Sequence, residues 1–278
     1  SLLFDKGDLD KAYALWGFIN ILSSSLGSLL GFVPPMLVAN YGYGQQASYW
    51  TLLAVGVGFF FASIPSWIIS VRGVVEPKNN DGSGFKFSLK SKGVVAKFSL
   101  LVFVTNIGFG AFFSLFPYYV NKKFGVKSDA LGALYFASNF ILAGANAVAP
   151  RISKRLGALK TIVVAHALSI PFWLMFPLAP GFTWLSLFYM VRSGMKNISS
   201  PIISSLFYKM LYEEEKGTAN SIYSMMSMGG NIIAPRLGGQ LMEQFSLDFP
   251  VYLGSGIYAA VAASYYFLLR NEKEAAEQ

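Results

Sequence analysis

The chain has 278 residues, of which 54% are hydrophobic and only 13% are charged, and its formal net charge is +8. This composition is too apolar for a soluble domain of this length, so it excludes that class and predicts an all-α, polytopic membrane protein. The cations lie in short stretches between apolar runs, which makes the charge a signal of membrane topology and argues against a nucleic-acid partner.

The content of reactive and metal-binding side chains is low. The sequence has no cysteine and one histidine, His166, so it offers no disulfide, no thiolate metal site and no histidine cluster. An intramembrane enzyme would need positioned acid-base or metal groups at membrane depth. We therefore predict no metal, no cofactor and no enzymatic activity.

Apolar runs long enough to cross a bilayer predict eight transmembrane helices. The predicted spans are residues 12–36, 49–70, 94–120, 130–150, 161–178, 182–208, 219–241 and 250–270. The only long connection, residues 72–92, is rich in Asn, Gly, Ser and Pro and has the composition of a flexible linker.

The distribution of Lys and Arg predicts the topology. Sixteen of the 22 lie on the side of both termini, three lie on the opposite side, and three lie at membrane depth. By the positive-inside rule, both termini and the linker 72–92 are expected in the cytoplasm, with the protein integral to the plasma membrane.

Three cations lie at membrane depth, namely Arg192, Lys196 and Arg236. A charge near the bilayer centre costs about 2.5–3.5 kcal/mol on insertion scales, so it normally faces a bundle interior or a wet cavity. All 14 Asp and Glu fall in loops, termini or helix ends, so this chain supplies no carboxylate partner at that depth. Three interpretations stay open: an anionic substrate, an acidic partner on helices outside this chain, or a structural role.

A mid-span asparagine or cation occurs in the first, third, fourth, sixth and seventh predicted helices, which predicts that these helices line a polar cavity. The second and eighth helices carry none and are expected to face lipid. For any single Asn, simple joining of two helices is the competing interpretation. The cavity candidates are Arg192, Lys196, Asn197, Asn106, Asn139, Asn231, Arg236 and Asn20.

Small residues on one helix face predict close helix packing. Gly27 and Gly31 lie four residues apart in the first helix, and Gly238 and Gly239 lie near the end of the seventh.

An internal repeat relates the first and seventh helices. Asp10-Lys-Ala-Tyr-Ala-Leu-Trp opens one as Glu215-Lys-Gly-Thr-Ala-Asn-Ser opens the other. The offset of about 205 residues corresponds to six helices, and six-helix halves related in this way are typical of transporters, although chance similarity is the alternative. On this period residues 1–71 are the last two helices of an N-terminal half that is truncated here, 93–270 form the C-terminal half, and 271–278 are a cytoplasmic tail.

Four segments carry a family resemblance. They are the loop Pro150-Arg-Ile-Ser-Lys-Arg-Leu-Gly-Ala-Leu-Lys160, the arginine-bearing helix Leu187-Phe-Tyr-Met-Val-Arg192 with Pro201, the entry Glu214-Glu-Lys-Gly-Thr-Ala219, and the run Ala234-Pro-Arg-Leu-Gly-Gly239. With these segments the chain resembles the major facilitator superfamily, from its fifth to its twelfth helix.

The resemblance implies a cytoplasmic gating loop containing Lys154, Arg155 and Gly157. Arg155 and Gly157 match the family pattern, whereas Lys154 stands in place of its aspartate and Pro150 in place of its first glycine. It also implies a central cavity lined by the first, fourth, seventh and tenth family helices.

The implied function is secondary active transport of a small solute by alternating access. The alternatives are a facilitative uniporter or exchanger, or a multidrug-type efflux carrier, and more remotely a channel-like protein or a sensor. The expected partners are the lipid bilayer and a small-molecule substrate, which the embedded cations favour as anionic, while the coupling ion is left open. The full-length protein is expected to be a monomer.

Overall fold

The computed structural model describes residues 19–72 and 89–276, and within them the fold is all-helical with no strand. This confirms the predicted fold class. The predicted first helix lies partly outside the described residues, as do most of the linker and the last two residues of the tail. The helices are α1 (Ile19–Tyr41), α2 (Gln45–Arg72), α3 (Lys92–Phe124), α4 (Ser128–Leu156), α5 (Ala158–Leu174), α6 (Phe182–Lys209), α7 (Lys216–Gln244) and α8 (Phe249–Ala276).

Prolines and glycines explain where these helices break and end. In α3 the regular helix stops at Phe113 and resumes at Phe116, because Pro117 has no N–H to donate to the Phe113 carbonyl. Pro34 and Pro35 coincide in the same way with a 3₁₀ turn inside α1. The left-handed conformation that ends α3 at Gly125, with φ of 67°, is one that glycine adopts readily.

By length and composition, four helices of the described part are able to cross a membrane. They are Ile19–Tyr41, Gln45–Ile69, Lys92–Phe124 and Ser128–Leu156, and α5 is a shorter apolar helix. The helices α6 and α7 are diluted by cations, serines and glycines, which lowers their hydropathy. These two helices therefore depend on neighbours to cover their polar residues.

The helices from α3 onward pack on one another. Helix α3 lies along α7, α6 packs on both α4 and α5, and α8 packs on α3 and α5. One end of the core is built from aromatic residues such as Phe112, Phe116 and Trp173, and the other centres on Phe98 and Phe207. Trp173 and Phe98 are fully buried, so each end has a closed apolar centre.

The helices α1 and α2 are mostly exposed. In the apolar window of α2 no residue is buried, and Phe59, Phe60 and Trp67 are all more than two-thirds exposed. Helix α8, by contrast, buries one face through Val251, Tyr258 and neighbouring residues. Neither helix lies at the centre of the bundle.

Close backbone contact joins α1 to α4. A Cβ atom at Gly31 would lie 2.5 Å from the carbonyl oxygen of Ser128, and one at Gly132 would lie 2.5 Å from that of Ser28. At Gly27 a Cβ atom would meet no described residue within 4 Å. Gly31 is therefore a position of close approach between α1 and α4. Gly27 is not one among the described helices, because crossing helices diverge away from their point of closest approach.

The same distinction applies between α3 and α7. A Cβ atom at Gly238 would overlap the backbone of Ala111, and one at Gly230 would lie 2.7 Å from the carbonyl oxygen of Phe103. At Gly239 the nearest contact would be an ordinary one, 3.8 Å from Leu115 Cδ1. Gly238 is thus a position of close approach between α3 and α7, whereas Gly239 is not.

We expect Gly31→Leu to lower the yield of folded protein, because the added side chain collides with the α4 backbone. Gly27→Leu is the matched control, since the same substitution four residues earlier meets open space. The measurement is the monodisperse fraction of full-length protein after extraction in mild detergent, by size-exclusion chromatography. Equal yields for the two variants would contradict the α1–α4 contact.

Candidate functional site

Arg192 of α6 lies inside the helix bundle and is only 1% exposed. Four aromatic rings surround its guanidinium carbon, at 4.1 Å for Phe113, 4.5 Å for Trp173, 5.0 Å for Phe109 and 5.4 Å for Tyr258. The rings come from α3, α5 and α8, so the side chain joins three helices to α6. We call these four residues the aromatic cage.

The polar atoms within this cage are under-satisfied. Arg192 Nε and Nη2, Trp173 Nε1 and the Tyr258 hydroxyl are buried without a hydrogen-bond partner in the described part of the chain. An unpaired buried ion costs several kcal/mol, and a desolvated cation–π contact contributes about 2 kcal/mol or more in return. The four rings therefore offset part of the cost of burying the guanidinium.

The lone histidine belongs to the same cluster. His166 of α5 is 2% exposed, and its ring stacks on Tyr258 with the centroids 4.8 Å apart. Its Nδ1 lies 2.9 Å from the carbonyl oxygen of Ile162, so Nδ1 is the protonated ring nitrogen that donates this bond.

Lys196 lies one helical turn after Arg192 and differs in environment. Its Nζ is 5.5 Å from the ring centroid of Phe109, the cage residue that it shares with Arg192. Phe109 in turn stacks on Phe113 with the centroids 4.4 Å apart. Lys196 is half-buried as a residue, and its ammonium lies over the Phe109 ring.

Beside Lys196, α6 presents a polar stripe formed by Ser193, Asn197, Ser200 and Ser204. The spacing of four, three and four residues puts these side chains on one helix face. The first two are half-buried and the last two are exposed, and the helix continues through Pro201 without interruption. Lys196 and the polar stripe together form an accessible polar surface next to an aromatic wall.

A family comparison decides the class of the protein. A model of the Major Facilitator Superfamily matches residues 98–278, which contain the aromatic cage, Lys196 and the polar stripe. This chain belongs to the major facilitator superfamily. Among curated proteins, no match to the chain is found.

As a major facilitator superfamily protein, the chain is an integral membrane transporter of the all-helical class. Two of its predicted cavity residues join helices in the structure. Asn106 Nδ2 donates to the Ser227 carbonyl and hydroxyl oxygens at 3.0 and 2.7 Å, and Asn139 Nδ2 donates to Ser24 Oγ at 3.4 Å. Both bonds are of the helix-joining kind, although neither asparagine is fully buried.

The remaining predicted residues are spread over other surfaces. Asn197 lies in the polar stripe, while Asn20, Asn231 and Arg236 are exposed on α1 and α7. The structure thus brings Arg192, Lys196 and Asn197 together on α6. It does not add Asn20 or Arg236 to that cluster.

The predicted gating loop falls at the junction of α4 and α5, where only one residue separates the two helices. Gly157 separates α4 from α5 and has a φ of 84°, which an L side chain rarely adopts. Lys154 and Arg155 lie exposed in the last turn of α4. Gly157 therefore has a conformational reason to be glycine, and the two cations remain available to solvent or headgroups.

Glu215 fastens α7 to the start of α3. Its carboxylate accepts hydrogen bonds from the backbone N–H groups of Lys90 at 2.7 Å and Ser91 at 3.2 Å, and from the Ser91 hydroxyl. A carboxylate at a helix N-terminus also meets the positive end of the helix dipole. The hydrogen bonds from Ser91 and Lys90 lower the pKa of Glu215, because they stabilise its charged form.

A second group of polar contacts lies at the opposite end of the same bundle. Lys123 at the end of α3 pairs with Asp248 at 2.8 Å and donates to the carbonyl oxygen of Pro177 at 2.9 Å. The Tyr119 hydroxyl donates to the same Asp248 oxygen at 2.6 Å. The end of α3 is thus tied to the connections that precede α6 and α8.

Sequence reasoning missed the four residues of the aromatic cage. A partial signal was present, since Phe109 and Phe113 are four apart and share one face of α3. Trp173 and Tyr258 lie on helices distant in sequence, and nothing local indicates that they face Arg192.

We expect Arg192→Ala to lower the free energy of unfolding by about 2–5 kcal/mol, because it leaves a cavity among four rings. Arg192→Met should retain a thermal midpoint near that of the wild type, since it fills the cage and removes the unpaired donors. The measurement is thermal unfolding of full-length protein in detergent. An equal loss in Arg192→Met would show that the charge itself holds the helices together.

We expect the Glu215 contact to make stability depend on pH. Because its folded pKa is lowered, its contribution is complete above the ordinary Glu pKa of about 4.3 and is lost as the pH falls through the folded value. Glu215→Gln should flatten the acid dependence of the thermal midpoint, and Glu213→Gln, at an exposed ion pair, should not. Identical acid profiles for the wild type and Glu215→Gln would overturn this assignment.

Proposed function

We propose that this chain forms part of a secondary transporter that carries a small anionic solute by alternating access. The observation that carries the proposal is Lys196, a half-buried cation beside the polar stripe that has no ion-pair partner among the described residues. An ammonium held against an aromatic ring in a partly buried position attracts an anion more strongly than one in bulk water, because the local dielectric is lower.

The position of this surface in the family fold supports the same proposal. By the resemblance, α3 and α6 correspond to the seventh and tenth family helices, which line the central cavity. Lys196 lies on α6 and its aromatic wall, Phe109 and Phe113, lies on α3. A solute that binds there would meet both helices, so a relative movement of the two transporter halves could open it to either side.

Arg192 is not proposed as a ligand of the solute. Its guanidinium is enclosed by residues of this chain, so a solute or an acidic side chain from another helix would have to open the aromatic cage to reach it. The interpretation of Arg192 as one member of a coupling ion pair is therefore less favoured than a packing role. Lys196 remains open to either an anionic solute or a carboxylate from outside the chain.

The proposed arrangement in the membrane follows the charge distribution. Residues 1–71 would belong to one half of a monomeric transporter and 93–270 to the other, with 72–92 as the connection and 271–278 as a tail. Both termini would be cytoplasmic, in the plasma membrane, on the bias of 16 cations to three.

We expect Lys196→Gln in the full-length protein to abolish uptake of the transported anion into proteoliposomes without lowering expression, because the only accessible cation of the site is lost. Lys196→Arg should retain part of the activity, and Arg236→Gln on α7 is the charge-matched control. The measurement is uptake of a panel of radiolabelled small carboxylates and phosphate esters. Normal uptake by Lys196→Gln would refute the anionic site.

A further inference from the structure

A pocket away from Lys196 lies between the ends of α4 and α6, beside the first residue of α5. Its volume is about 260 Å³. It is lined by two lysines, Lys154 and Lys209, by two serines, Ser153 and Ser205, and by an apolar wall that includes Ile202 and Leu206. We call it the lysine pocket. Lys209 is 13 residues from Lys196, or about 20 Å along α6, so the two sites are separate.

The charges of the lysine pocket have no acidic partner among the described residues. None of those that line it is a carboxylate. Neither Lys154 nor Lys209 forms an ion pair within the described ranges 19–72 and 89–276. Two like charges that share one pocket repel each other, so an anion that binds both of them gains more than at an isolated lysine. The hydroxyls of Ser153 and Ser205 are suitable donors to phosphate oxygens.

The shape and position select the kind of anion. The lysines lie at the ends of membrane helices, the level at which lipid headgroups are found, while Ile202 and Leu206 continue an apolar wall along α6. Basic pockets between transmembrane helices commonly bind anionic headgroups. A freely soluble phosphate would use the cations and leave the apolar wall exposed.

We propose that the lysine pocket binds the headgroup of an anionic phospholipid, with the phosphate at Lys154 and Lys209 and an acyl chain against Ile202 and Leu206. The occupied pocket would bridge α4 and α6, the two helices that carry the predicted gating loop and the polar stripe. This site does not depend on the identity of the transported solute, and it stands even if Lys196 binds no anion.

The test is binding of phosphatidylglycerol to delipidated full-length protein in neutral detergent, measured by native mass spectrometry. The double variant Lys154→Gln with Lys209→Gln should bind about ten-fold more weakly, and phosphatidylcholine should bind weakly to both proteins. The control is Arg151→Gln with Lys160→Gln, which removes two exposed cations outside the pocket and should bind as the wild type does. All variants are compared only after their thermal midpoints are shown to match.

Three results would overturn the proposal. Unchanged binding by the pocket double variant would show that the lysines are not the site. An equal loss in the control variant would mean that the affinity reflects general surface charge. Displacement of phosphatidylglycerol by inorganic phosphate at the lipid's own affinity would identify a soluble-anion site instead. Retention of phosphatidylglycerol against excess inorganic phosphate, together with loss in the pocket variant alone, is the expected result.

Discussion

The burial of one guanidinium among aromatic rings is the constraint on which the rest of this bundle depends. Arg192 is only 1% exposed, so its charge has to be stabilised by what the helices bring to it. Phe109, Phe113, Trp173 and Tyr258 do so from three helices, and their positions fix how α3, α5 and α8 pack around α6. Small residues at the helix contacts, such as Gly108 and Gly254, allow the backbones to come close enough for this arrangement.

This arrangement divides the cations of the chain among different tasks. Arg192 fills the core, and Lys196, one turn later, lies over Phe109 of the same ring system, beside the polar stripe. Lys123 pairs with Asp248 at one end of the bundle, whereas the other end is joined through the Glu215 carboxylate. Lys154 and Lys209 line a pocket at the helix ends. Depth and local partners, more than the presence of a charge, therefore decide what each cation can do.

Much of the fold could be predicted from the sequence, because membrane helices reveal themselves by local apolar length. The class, most helix positions and the family all followed from local patterns. The site was harder to predict, because it depends on which helix faces which. Spacing placed Arg192 and Lys196 on one face of α6, but only the packing shows that Phe109 lies between a buried cation and an accessible one. Similarly, nothing local distinguishes Asn106, which bonds to Ser227, from the exposed Asn231.

The most direct test of this account compares the accessibility of positions 192 and 196 in the full-length protein in its membrane. The chain has no cysteine, so Arg192→Cys and Lys196→Cys each introduce a single reactive thiol into it. The measurement is the rate at which a positively charged, water-soluble methanethiosulfonate modifies each thiol. The account predicts modification at position 196 and none at position 192. Equal rates at the two positions, or reaction at 192 alone, would contradict it.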